Sequence, residues 1–460
     1  MTRTGSAAIH IAVIVSTAFP QQPAPVRMTV AQAVDRALHN FPSIQASTEQ
    51  VNAALAGIRL ARTYYLPSLD ALAQFNRATR NNVFGLLLPQ TVIPNISGPV
   101  LGTNNGSTAW GSTVGVLVSW EPFDFGRRRA LVESAEATRS RAERTAQRTE
   151  FEVATATAAA FLTLLAGEQT LKAAQAAVDR AQVLVTSVKA LVTAQLRPGA
   201  DLSRADTELD AAETQRMQAE RSVDIARATL AEYTGIALKI AELQPAALLG
   251  DAPERMAQPA AVANHPAARE QKAVIGESEA RLAILGHTYR PIFNLQFAGF
   301  ARGTGALTNG AALGGVNGLA PTYFNAAAGV TIDFPLLSFP SLRAQESQEA
   351  AIERSASATH RQVIIELEAQ RSSAEASLAQ ARNIAAETPK EVADARTGLE
   401  QANAQYRSGL ATIVAVAEAH RLLTQAEIDD SLAKLAVWRA LLELESAQGD
   451  ITHFLQEASK

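Results

Sequence analysis

The chain contains no cysteine. This excludes disulfides, cysteine-ligated zinc or iron–sulfur centres, a thiolate nucleophile and a lipid-modified N-terminal cysteine. Aromatic residues make up only 5% of its 460 residues, too few for a large mixed globular core. Formal net charge is −4, without the basic excess that marks a nucleic-acid binder. No run of 18 or more apolar residues occurs, so no segment reads as a transmembrane helix. Catalytic signatures are missing too. There is no H-E-x-x-H, G-x-S-x-G or G-x-x-x-x-G-K-[ST], and the seven histidines are scattered. Nothing in the sequence calls for a cofactor or a metal, and an enzymatic reading has no residues to rest on.

One triplet invites an enzymatic reading and then withdraws it. Asp124, Phe125 and Gly126 spell D-F-G, the magnesium-holding triplet of protein kinases. A kinase also needs a Gly-rich loop and an H-R-D catalytic loop, and neither is present. Before the triplet, STVGVLVSW alternates in period two; after it, a long Ala-, Glu- and Arg-rich stretch has neither Pro nor Gly. The triplet therefore marks a strand-to-helix corner, with Pro122 ending the strand and Gly126 permitting the turn.

What the chain has in abundance is alanine, and an internal repeat. NFPSIQASTEQVNAALAGIRLARTYYLP from Asn40 returns as NHPAAREQKAVIGESEARLAILGHTYRP from Asn264, so Pro42 matches Pro266 at a spacing of 224. Further on, Phe125 matches Phe339 and Arg129 matches Arg343, each 214 apart. The second copy has lost ten residues between two strands, in a Gly- and Asn-rich loop.

Beyond this point both copies become heptad-periodic. Leu202, Leu209, Arg216, Val223 and Leu230 recur every seven residues, shadowed three positions later by Ala205, Ala212, Ala219, Ala226 and Tyr233. Val416, Leu423, Asp430, Val437 and Leu444 repeat the series 214 residues on. Such repeats specify left-handed supercoiling, with alanine allowing close axes. Leu171, Val178, Val185 and Val192, and then Leu378, Ala385, Val392, Leu399 and Tyr406, supply the partner helices. A helix over 126–196 would be roughly 105 Å long, too long for a compact domain. Pro389 should bend its helix. The polar breaks Arg216 and Asp430 stand at equivalent places, either as exposed interruptions or as a pair between neighbouring repeats.

Four segments alternate in period two. Leu69, Ala71, Ala73 and Phe75 oppose Asp70, Gln74 and Asn76; Val114, Val116, Val118 and Trp120 oppose Gly115, Ser119 and Glu121. Phe293, Leu295 and Phe297 oppose Asn294 and Gln296; Phe324, Val330, Ile332 and Phe334 oppose Asn325, Thr331 and Asp333. A soluble sheet would bury the apolar face under helices; a membrane barrel would turn it to lipid. The helices offer only narrow mutual seams, which favours the barrel. Because about eight strands are needed to close one, the barrel must be shared between chains. A soluble coiled-coil scaffold is the alternative, and it leaves the four two-faced strands unexplained.

The ordered combination resembles the TolC-like outer membrane efflux proteins, over nearly the whole chain. MTVAQAVDRALHNFPSI is similar to the family's opening, with Thr29 and Gln32 suited to a capping box. PFDFGRRRALVESAEA resembles its corner from barrel into tunnel, and LRPGADLSRA and YRSGLATIVAVAEA resemble its two periplasmic tips.

The resemblance implies a mainly α protein with a membrane β-barrel portion. It implies a homotrimer whose twelve strands form an outer membrane barrel that continues as an α-helical periplasmic tunnel. The implied partners are a periplasmic adaptor, an inner-membrane pump and outer membrane lipid of a Gram-negative bacterium. The expected organisation is a signal peptide and disordered N-terminal segment over 1–27, with a simple disordered tail as the alternative. A first repeat over 28–235 has helices at 29–65, strands at 68–77 and 112–121, and long helices at 126–196 and 200–235. A linker covers 236–263. The second repeat, 264–455, has a helix at 266–289, strands at 291–301 and 324–334, and long helices at 340–406 and 410–455.

The resemblance also suggests where function sits. The family's acidic gate pattern falls on AVAEA, where Ala415 replaces the first acid and Glu418 keeps the second; Asp201 lies opposite Ala415 in the first copy. Arg197, Pro198, Gly199, Arg407, Ser408 and Gly409 form the tips that an adaptor would contact. The tip glycines are 210 apart rather than 214, which predicts a second hairpin longer by one helical turn. Trp120, Arg127, Arg128 and Arg129 are candidates for the membrane interface, the arginines meeting anionic head groups or forming a solvated charge cluster.

Overall fold

The computed structural model describes residues 26–79, 108–236, 241–253, 261–307, 311–335 and 338–460. The proposed signal segment up to residue 25 and most of the first inter-strand loop lie outside these residues.

The described residues open with a short strand β1 (Val26–Met28), then α1 (Val30–Asn40) and α2 (Pro42–Thr63). Thr29 and Gln32 close the capping box that starts α1. Strands β2 (Ser68–Thr79) and β3 (Thr108–Phe123) follow, then α3 (Arg127–Thr193) and α4 (Gly199–Thr234). A second series runs through β4 (Ala241–Leu243), α5 (Pro266–Thr288), β5 (Ile292–Thr304), β6 (Tyr323–Asp333), α6 (Phe339–Arg407), α7 (Ile413–Gln448) and α8 (Thr452–Ala458). At 67 and 69 residues, α3 and α6 each extend about 100 Å. Pro389 lies inside α6, which continues through it to Arg407.

Packing follows the heptads. α3 lies against α4 within the first repeat and α6 against α7 within the second, while α3 also contacts α5 and α7 across the repeats. Ala205, Val223, Ala226, Leu230, Val416, Leu423, Ala433, Val437 and Leu444 are all buried. The largest core lies mid-length, where Phe161, Trp438 and Phe454 are fully enclosed among Leu164, Leu165, Leu230 and Leu441. The apolar stretch of α3 around Phe161 is part of this core.

The sheet has strand order β2-β3-β5-β6, antiparallel throughout, with β2 and β6 as free edges among the described residues. Its register aligns Ala73, Val114, Ala301 and Phe324 in one row, and Leu69, Val118, Phe297 and Ala328 in another. Among the described residues, helices pack chiefly on helices and strands on strands, and no helix packs extensively on this face.

Four expectations need correction. The helix predicted over 410–455 breaks at Gly449, whose φ of +85° is left-handed and suits only glycine without strain. Gly235 ends α4 in the same way, so the repeat itself carried the signal. Within the 236–263 linker, residues 241–253 join the core rather than acting as a tether. β4 pairs in parallel with β1, Leu248 is buried, and Trp438 Nε1 donates to Gly250 O at 3.2 Å.

The two hairpins are of equal length, since α3 and α6 end at Thr193 and Arg407 and α4 and α7 begin at Gly199 and Ile413, each 214 apart. The left-handed turn position is Gly409 in the second copy and Gln195, with φ +60°, in the first. The glycine offset therefore reflects a glycine that moved, not an added turn. Finally, the face opposite the lipid-like one is mixed rather than polar, because Leu117 and Ala298 are buried there beside Gln296.

Candidate functional site

Three places carry functional potential: the sheet, the corner where it meets the helices, and the far tips of the hairpins. On the sheet, Leu69, Phe75, Val114, Val116, Leu295, Phe297, Phe324, Val330 and Ile332 are exposed on one continuous face. Aromatics bracket it. Trp120, Phe123 and Phe334 are exposed at the helix end and Phe324 at the other. From Phe324 to Phe334 is about 33 Å along the strand, or about 25 Å along an axis tilted by 40°, the height of a membrane-spanning apolar band. A soluble scaffold has no use for such a face.

The corner explains the D-F-G triplet. Asp124 Oδ1 accepts from the Gly126 amide at 3.1 Å, and Oδ2 accepts from the Arg128 amide at 2.7 Å and from Arg128 Nε at 2.8 Å. The aspartate thus caps α3, and Phe125 and Gly126 take left-handed backbone to bring it there. Arg128 is buried, donates to Tyr64 O and lies 4.9 Å from the centre of the Tyr65 ring. It is an internal strut and not, as the sequence suggested, a group that reaches head groups or solvent. Arg129 is exposed and pairs with Glu133 one turn along. Trp120 Nε1 donates to Tyr65 O at 3.2 Å, leaving the ring exposed.

At the tips, Tyr406 is the organising residue. The Arg197 guanidinium stacks on its ring at 4.3 Å and donates to its carbonyl oxygen. The Tyr406 hydroxyl donates to Asp201 Oδ2 at 2.8 Å. Burial, and then the Asp201 carboxylate, push the phenol up to about 12. Asp201 is therefore engaged, whereas Glu418 is exposed on α7 with no ion pair among the described residues. Pro198 caps α4, Gly199 begins it, Arg407 ends α6 and the Ser408 hydroxyl donates to Ala404 O.

The sequence reading missed two features here. Tyr406 was visible only as an apolar heptad position. Leu196 and Leu410, 70% and 81% exposed, occupy equivalent places on the two tips. The 214-residue spacing that joins these two leucines was the available signal.

Above the tips, Arg180 binds Glu427 at 3.0 Å and Thr424, and Arg421 grips Glu208 with both arms, at 3.1 and 2.7 Å. Arg216 and Asp430 do not meet within the chain. Arg216 pairs with Glu220 on its own helix, and Asp430 accepts from the Thr388 hydroxyl.

A family model described as outer membrane efflux protein matches residues 33–236 and 259–450. Among solved structures, the chain is similar to the Campylobacter jejuni CmeC outer membrane channel, with a TM-score of 0.72 at 14% identity, covering 100% of this chain and 97% of that one. It is similar to the outer membrane protein VceC of Vibrio cholerae, TM-score 0.70 at 17% identity, covering 91% and 96%. It is also similar to the open state of the Neisseria gonorrhoeae MtrE outer membrane channel, TM-score 0.70 at 16% identity, covering 92% and 89%. No curated protein sequence matches it.

Proposed function

Because the chain belongs to the outer membrane efflux protein family, we propose that three copies close their sheets into one twelve-stranded barrel and their helices into one tunnel. The protein is an outer membrane efflux channel, a passive exit duct for substrates driven from the inner membrane. The observation that carries this reading is the four-stranded sheet with an uncovered apolar face and two free edges, joined directly to helices about 100 Å long. Four strands cannot close, and an open apolar sheet is not stable in water. Two further copies remove both problems at once.

The assembly sits in the outer membrane of a Gram-negative cell, with its helices in the periplasm. Trp120 lies in the aromatic girdle at the inner leaflet, and Arg127 and Arg129 face the lipid phosphates there. The tips carrying Arg197, Pro198, Gly199, Arg407, Ser408 and Gly409, with exposed Leu196 and Leu410 at their ends, meet a periplasmic adaptor that links the duct to an inner-membrane pump. At the tunnel mouth the three Glu418 carboxylates approach the axis. Together they repel one another and attract cations, while Tyr406 and Asp201 hold neighbouring helices in the closed arrangement.

The test is expression in a Gram-negative host followed by membrane fractionation. The reading predicts outer membrane recovery as a detergent-soluble trimer; a monomer in the soluble periplasmic fraction would overturn it.

A further inference from the structure

With one face of the sheet turned to lipid, the opposite face lines the lumen, and a water-filled barrel calls for polar residues there. At both ends this face has them. Toward the helices, the Ser119 hydroxyl donates to Asn294 at 2.9 Å. Toward the outer end, Gln74, Thr113 and Arg302 stand in one row. Between these lie two rows that break the rule. Asp70, Leu117 and Ala298 align in one, and Leu72, Gly115 and Phe300 in the next.

The two rows wall a cavity of about 280 Å³, lined by Asp70, Leu72, Thr113, Leu117 and Phe300 with Gly115 between them. A Cβ on Gly115 would lie 2.4 Å from the Phe300 Cβ, so any other residue there would displace Phe300. An aromatic packed over a cross-strand glycine is a common device of sheets, and it accounts for Phe300 alone. It does not account for two leucines on a lumen face, or for Asp70 beside them. Asp70 is exposed and is the charged residue of the wall. Its carboxylate has no hydrogen bond or ion pair among the described residues.

A carboxylate set among apolar side chains is less well screened than one in open water, so it attracts a cation more strongly. Apolar neighbours add a surface that a bare metal ion cannot use and an organic cation can. The sign follows from Asp70, because an anion of the same shape would be repelled. Side chains just fill a barrel of about eight strands. Twelve strands enclose more, so the cavity is a site on the wall of the duct and not a plug.

We propose that this cavity binds organic cations that carry an apolar body, with Asp70 holding the cationic group and Leu72, Leu117 and Phe300 taking the apolar part. This rests on the trimeric channel reading above, which gives three such sites facing one another at mid-height of the barrel. It adds a cargo class to that reading. Cationic amphiphiles pause on the wall as they leave, whereas small hydrated ions pass.

The test is block of single-channel current in a planar bilayer by benzyltriethylammonium added on the barrel side. Its quaternary nitrogen carries a fixed charge, so pH does not enter. Reversible block is expected at concentrations where tetramethylammonium, which lacks the apolar body, and benzenesulfonate, which has the opposite charge, leave the current unchanged. Asp70→Asn and Leu72→Ser, each recovered as trimers, should raise the half-blocking concentration severalfold. Asp333→Asn removes a carboxylate from the same face outside the cavity and should leave block as in wild type. Equal block by tetramethylammonium, unchanged block in Asp70→Asn or Leu72→Ser, or a loss as large in Asp333→Asn would overturn the site. A bilayer that stays silent with every ion would instead contradict the channel reading itself.

Discussion

The hydroxyl of Tyr406 donates a 2.8 Å hydrogen bond to Asp201, tying the end of α6 in the second repeat to the first turn of α4 in the first. A hydrogen bond to a charged group contributes about 1.5–3 kcal/mol. Tyr406→Phe removes it and should shift the mouth toward open states, raising mean conductance in planar bilayers. The link needs a protonated phenol. An exposed tyrosine titrates near 10, and this one is raised to about 12 by burial and by Asp201. Its contribution is therefore intact below pH ~10 and is lost as pH rises through about 12. Conductance that is insensitive to both the substitution and strong alkali would remove the latch from the account.

At the first hairpin, Gln195 holds φ +60° where Gly409 stands in the second. A side chain in left-handed backbone costs about 1 kcal/mol relative to glycine. Gln195→Gly should stabilise the protein and raise its melting temperature by a few degrees, whereas Gly409→Ala should lower it. A fall in melting temperature for Gln195→Gly would mean that the side chain has a role the turn geometry does not show.

The two repeats differ instructively at the membrane corner. Arg128 and Leu342, 214 residues apart, are each 6% exposed, so one buried place is filled by an ion-paired arginine in one copy and by leucine in the other. Asp124 corresponds to Ser338. Removing one member of a buried pair costs about 3–5 kcal/mol, while replacing both can be neutral. Arg128→Leu alone should destabilise by that order; Asp124→Ser/Arg128→Leu should recover most of the loss. Chemical denaturation of the three variants measures it, and equal losses in single and double variants would contradict the reading.

His265 makes the fold acid-sensitive. Its Nδ1 accepts from the Ala267 amide at 3.1 Å, so Nε2 carries the proton and donates to Ser446 O. Burial, more than any other influence, lowers its pKa below the usual 6.5. The folded state thus binds fewer protons than the unfolded one. Stability from this group is full above about pH 6.5 and declines as pH falls through the folded value. His265→Gln keeps a donor and an acceptor without titrating. The urea midpoint of wild type should fall further than the variant's between pH 7.5 and 5. The comparison isolates His265 from His420, whose pKa burial also lowers, and from Glu445, whose pKa burial raises. Parallel falls would show that His265 does not titrate in this window.

Much of this was legible because long periodic elements repeat the same physical message many times. Heptads over more than thirty residues fixed α4 and α7, and alternation fixed four strands to within four residues at either end. The features that escaped are single-residue or long-range events. The β1–β4 pair spans three residues per strand, too short to show a period, and joins segments more than two hundred residues apart. Nothing local announces that Gln195 adopts a glycine-like turn. The burial of Arg128 follows from Tyr64, Tyr65 and Asp124 converging on it, which no charge count reveals. The tip network was hidden for a different reason, since Tyr406 sits at an apolar heptad position and reads as core.

A conducting trimer whose mouth is governed by Glu418 is the central expectation for this chain. Single-channel recording of the purified protein in a planar bilayer tests this most directly. The prediction is discrete, low, cation-selective steps that a divalent or trivalent cation blocks from the periplasmic side, with block and selectivity much reduced in trimeric Glu418→Ala. A protein that remains soluble without detergent and leaves the bilayer silent would contradict the channel. Block unchanged in Glu418→Ala would contradict the gate.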